Sequence, residues 1–238
     1  MSTKQNTREA GTGIRDLALM VLAISSGSTD AISYLVLGKV FTAYMTSNIV
    51  FLGLHASGAA ELEVFRVLRS LICFSVGLLV FRLLAGLLDS AGAPGIWPRE
   101  VIVGLGVTLI AQVAFLVVWL RASGSPSGGV SDILVTLAAF AMGMQSGAVR
   151  SLGLTSVVTT AVTGTLAALI ASLAPHPTRD WRRLAGVLLS VFLGATLGGM
   201  LLTRARSYAP VPPIAATALA LVIGVLARRS SWEDRNAA

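Results

Sequence analysis

The chain has 238 residues, of which 55% are hydrophobic and only 12% charged, with a mean hydropathy of +0.81. A soluble domain carries roughly 25% charged residues, so the composition argues against a water-facing surface and against a soluble globular enzyme. The net charge of +7 does not point to nucleic acid, because the basic residues sit singly or in pairs between apolar segments, where loop charge sets membrane topology.

Cutting the chain at charged or Pro/Gly-rich breaks leaves eight apolar segments, each near the length of about 20 residues that crosses a bilayer core. A polar N-terminal tail, 1–16, precedes the first. Segments one to four are expected at Leu17–Leu37, Val40–Ser57, Val67–Leu88 and Val101–Leu120. The Gly/Ser/Pro stretch 123–130 has a flexible linker's composition and divides the chain near its middle. Segments five to eight are expected at Ile133–Leu152, Leu154–Leu173, Leu184–Thr203 and Val211–Ala227, followed by a polar tail, 229–238. None shows the period-2 alternation of a membrane barrel, so the spans are helices. The fold expected is an all-α polytopic membrane protein of about eight spans, or seven if one of the last two fails to cross. Leu17–Ile24 is short for the apolar core of a signal peptide, so segment one is expected to remain as a span.

With eight spans, twelve Lys and Arg fall on the side of the termini and five on the other. This places both termini in the cytoplasm. The lone Cys73 excludes an intramolecular disulfide and a thiolate metal site. His55 and His176 have no paired ligand spacing. No Walker A run, GxSxG elbow or dinucleotide-binding glycine motif is present. No metal, cofactor or enzymatic activity is expected; the expected partners are the lipid bilayer and an unidentified small molecule.

An internal repeat is visible. Gly27-Ser28-Thr29-Asp30 aligns with Gly143-Met144-Gln145-Ser146, and Thr42 to Asn48 aligns with Thr159 to Thr165 after a one-residue shift. Arg66 and Gly77 then fall on Arg183 and Gly194. Residues 17–122 and 131–228 form the two repeats. Four spans per half is an even number, which makes the repeats parallel, with a substrate path at their interface.

Asp30 carries the most information, since an acid inside a span costs roughly 2.5–3.5 kcal/mol on insertion scales and needs a partner or a cavity. The run Ser25 to Thr29 beside it is expected to unwind or kink segment one. In parallel repeats Arg150 would lie about 6 Å from the depth of Asp30, and the two form the expected substrate or proton handle. Thr42 and Thr46, and likewise Thr159 and Thr163, are four apart and share a helix face. With Tyr34, Asn48, Gln145 and Thr160 they are expected to line a polar path. Packing glue between helices is the competing role for these hydroxyls and amides.

The run from Gly27 to Leu35, then Leu37 to Asn48, resembles the signature of the YoaK-like family of bacterial inner-membrane proteins, and Gly143 to Gly147 with Arg150 resembles that family's second half. Tyr44, Ser47 and Ser146 depart from the pattern, which has asparagine, glycine and asparagine there. The resemblance implies a multi-pass protein of the bacterial inner membrane. It implies no reaction, because the family is of unknown function. Together these readings suggest a small secondary transporter or permease, with a membrane-embedded enzyme or a non-transporting structural or regulatory protein as alternatives.

Overall fold

The computed structural model describes residues 2–59, 63–88, 97–152, 162–172 and 181–236, with side chains described only between 13 and 229. All regular structure among them is helical: α1 (Ser2–Val36), α2 (Met45–Ala56), α3 (Val64–Leu88), α4 (Arg99–Arg121), α5 (Gly129–Ser151), α6 (Val162–Ser172), α7 (Trp181–Arg204) and α8 (Val211–Asn236). A short 3-10 turn at Arg206–Tyr208 precedes α8. α1 continues back to Ser2, so the polar residues expected as a tail extend the first helix.

Six helices are long and apolar enough to cross a membrane: α1 from Gly13, α3, α4, α5, α7, and α8 with the turn before it. This corrects the expected eight. Segment two forms only the 12 residues of α2, about 18 Å of helix at 1.5 Å per residue against a hydrocarbon core of about 30 Å. The described part of segment six is the 11-residue α6.

The break that shortens segment two lies at Gly38 and Lys39, both left-handed with φ of 98° and 55°. Such a conformation ends a helix and is natural for glycine. α1 itself stays helical through Ser25–Thr29, contrary to the expected kink. Its hydroxyls are absorbed locally: Thr29 donates to the Ser25 carbonyl at 2.8 Å and Ser33 to the Thr29 carbonyl at 3.0 Å, the i−4 back-bonding open to Ser and Thr in helices.

α1 packs most closely on α7, and α5 on α3. At the first crossing a Cβ on Gly27 would collide with the Val191 carbonyl, and one on Gly194 with the Ile24 carbonyl. At the second, Gly77 meets the Phe140 carbonyl and Gly143 the Phe74 carbonyl. Glycines let these backbones touch. Arg66 on α3 donates to Asp132 on α5 at 2.9 Å, and Arg183 on α7 stands 3.8 Å from Asp16 on α1.

α1 and α5 run antiparallel. Gln145 reaches the Leu22 carbonyl, while further along α1 Thr29 and Ile32 share a cavity wall with Ala138 and Ala141, earlier in α5. This overturns the parallel relation expected for the halves, and parity is the reason. Without segments two and six, each half has three spans, so the chain enters the second half from the opposite side.

Candidate functional site

The site is built on the stretch between α1 and α2. Leaving α1, the chain turns at Gly38, which packs on the Arg66 side chain of α3, and then folds back along α1 as far as Asp30. Backbone at membrane depth must have its polar groups satisfied by protein, and Asp30 does this. Its Oδ1 accepts the Thr42 N–H at 2.7 Å, the Ala43 N–H at 2.8 Å and the Thr42 hydroxyl at 3.0 Å; its Oδ2 accepts the Tyr44 N–H at 3.2 Å. One buried carboxylate thus holds three consecutive amides at the entry to α2. Hydrogen bonds to an ionised acceptor are shorter and stronger than neutral ones.

Asn48, on the first turn of α2, completes the fold-back. Its Oδ1 accepts the Phe41 N–H at 3.0 Å and its Nδ2 donates to the Phe41 carbonyl at 2.6 Å, so one amide closes both backbone groups. Ser70 of α3 donates to the same carbonyl at 2.6 Å. The Phe41 ring stacks between Tyr34 at 5.1 Å and Phe51 at 6.0 Å between centroids, fixing the loop to α1 and α2.

Deeper in the bundle α1, α4, α5 and the start of α8 enclose a cavity of about 300 Å³, lined by Ile32, Phe115, Ala138, Met142 and Pro213 among others, with Thr29 and Gln112 its polar side chains. Gln112 donates to the Ser25 hydroxyl at 3.0 Å, and Ser25 shares a hydrogen bond of 3.1 Å with Thr217 of α8. The Gln112 Oε1 is buried with no partner, which leaves one amide acceptor in an apolar chamber.

The structure brings together some of the residues singled out in the sequence and scatters others. Asp30, Tyr34, Thr42 and Asn48 meet at the fold-back. Gln145 is buried against α1 one helix face away, its Nε2 donating to the Leu22 carbonyl at 3.0 Å. Arg150 does not pair with Asp30: it is exposed at the end of α5, 12 residues or about 18 Å of helix beyond Ala138. Antiparallel packing sends it to the opposite face of the membrane. Thr42 and Thr46 share no helix face, because Thr42 precedes α2, and Thr46 is exposed. Thr163 is exposed on α6. Thr159 and Thr160 lie outside the described residues.

Sequence reasoning missed Ser70, Gln112 and Thr217. Gln112 carried the same signal as Gln145, an uncharged amide in the middle of an apolar span. Among the described residues no three His, Cys, Asp or Glu side chains gather to hold a metal ion.

Six helices of membrane-crossing length, with a fold-back latched inside the bundle, define a multi-pass α-helical membrane protein. The chain belongs to the family described as "Protein of unknown function (DUF1275)", whose profile matches residues 18–224. It is similar to the UPF0700 transmembrane protein YoaK of Bacillus subtilis (strain 168), with 34% identity over 156 residues. The match covers 66% of each chain, just under two thirds of the relative's length. No solved structure matches the chain.

Proposed function

We propose that this protein is a small permease of the bacterial inner membrane, not an enzyme, and that it moves a small molecule along a path between two inverted three-span repeats. The observation that carries the proposal is the position of the cavity. It lies among the first and last spans of both halves, α1 and α4 from one and α5 and α8 from the other, where substrate sites of inverted-repeat carriers form.

Equivalent residues support the inverted relation at one constant offset. Gly27 and Gly143 approach backbone in the same way, as do Gly77 and Gly194, and Asp132–Arg66 has Asp16–Arg183 as its counterpart. Each half therefore lends its first helix to the other, and the moving bodies under this proposal are α1 with α7 and α8, and α5 with α3 and α4. Six spans keep the termini on one side. Counted again, that side carries eleven Lys and Arg and the other six, with Arg82 inside α3 left out, which favours cytoplasmic termini.

A second reading, a static membrane protein, draws on Asp30: a carboxylate fully engaged by four donors is a latch before it is a handle. Cysteine accessibility separates the two. Ala138→Cys in a Cys73→Ser background is treated with a membrane-impermeant cationic thiol reagent in right-side-out and inside-out vesicles. A permease exposes the cavity to each face in turn and is labelled from both. Labelling from one face only, or from neither, rules out alternating access.

A further inference from the structure

Leu22, Ser26 and Asp30 are spaced four apart, so they line one face of α1. Against that face come Gln145 of α5, bonded to the Leu22 carbonyl, and Tyr44 of the fold-back, whose hydroxyl lies beside that of Ser26 and within the field of Asp30. Three buried side-chain oxygens in this row have no hydrogen-bond partner: Ser26 Oγ, Tyr44 Oη and Gln145 Oε1. Ser26 and Gln145 are both fully buried. Asp30 Oδ2 accepts a single N–H, at 3.2 Å, and among the described residues no cationic side chain pairs with Asp30.

A buried polar atom left unbonded costs about 1–3 kcal/mol, and an acid inside a span marks an ion or substrate pathway. Orphaned oxygens in a row beside an unpaired carboxylate share one remedy, which is a positive charge coordinated by oxygen. We propose that Asp30 Oδ2, Ser26 Oγ, Tyr44 Oη and Gln145 Oε1 form a binding site for a sodium ion. One carboxylate neutralises a monovalent ion and falls short of a divalent one, whose sites recruit several acidic oxygens. Four oxygens in a packed interior favour a small ion over potassium. A proton on Asp30 would add a donor where Tyr44 N–H already donates, and would leave the Gln145 and Ser26 oxygens unsatisfied.

The ion's binding stands independently of transport; its role as the coupling ion rests on the permease proposal. The test uses the full chain in lipid nanodiscs, with sodium chloride as probe against choline chloride and potassium chloride at equal ionic strength. The midpoint of thermal unfolding is expected to rise with sodium concentration and much less with potassium. Radiolabelled sodium should bind with one site per chain.

Ser26→Ala and Tyr44→Phe each remove an unbonded oxygen, so both should fold with the wild-type midpoint in choline and show less than half its sodium shift. Equal midpoints in sodium and choline overturn the site, as does a full sodium shift in both variants, or a response to pH with none to sodium. A sodium shift with cavity labelling from one face keeps the site and removes the permease. Labelling from both faces without a sodium shift does the reverse.

Discussion

Replacing Asp30 with alanine removes the acceptor of four donors at once: three consecutive backbone N–H groups and the Thr42 hydroxyl. At about 1–3 kcal/mol for each buried donor left unbonded, the gross cost is roughly 4–12 kcal/mol. Two effects reduce it: water entering the vacated space, and relief from burying a charge. Breaking a buried charged network by deleting one member costs about 3–5 kcal/mol, and Asp30→Ala is expected to fall in that range. This is a large share of the 5–15 kcal/mol that holds a typical domain together.

Asp30→Asn separates acceptor geometry from charge. Its single carbonyl oxygen can keep the three bonds made to Oδ1, while its NH2 faces the Tyr44 N–H donor to donor, for an expected loss of about 1–2 kcal/mol. The assay is thermal unfolding in nanodiscs, paired with thiol labelling of Ala43→Cys in a Cys73→Ser background. Alanine at 30 should lower the midpoint far more than asparagine and speed labelling at position 43. If Asp30→Ala unfolds at the wild-type temperature with position 43 still protected, Asp30 does not latch the fold-back.

Asn48→Ala orphans the Phe41 N–H and leaves the carbonyl to Ser70, so a loss of about 1–3 kcal/mol is expected in the same unfolding assay. Gly27→Val drives a side chain into the Val191 carbonyl and should cost about 1–3 kcal/mol by overpacking, whereas Gly53→Ala, with open space around it, should be neutral or gain about 0.5–1 kcal/mol of helix propensity. Arg150→Gln should leave stability within about 0.5 kcal/mol of wild type, as exposed substitutions do; a loss comparable to that of Asp30→Ala would revive the charge pair that the fold separates.

Much of this molecule was legible in composition and periodicity. The helical membrane class followed from 12% charge, and Asp30, Asn48 and Gln145 stood out because polar groups are costly in apolar spans. The span count was not legible, for a physical reason. Hydropathy measures how much a segment prefers lipid and is silent on whether its backbone closes its own hydrogen bonds. Segment two is as apolar as a true span, yet its first residues are non-helical and borrow their acceptors from α1. Only the Gly38-Lys39 pair hinted at the break, and glycine is common in membrane helices.

The one misread segment in each half propagated through parity. Losing it turns four spans into three, parallel halves into antiparallel ones, and sends Arg150 across the membrane from Asp30. The repeat correspondences themselves survive this inversion. Gly27 with Gly143 and Arg66 with Arg183 occupy matching contacts whichever way the halves face, since residue-by-residue similarity carries no information about the side from which a chain enters the bilayer. What changes is the partner of the buried acid. In parallel halves Asp30 had an arginine within reach. In the antiparallel bundle it holds backbone amides, and its charge is left for a mobile cation to balance.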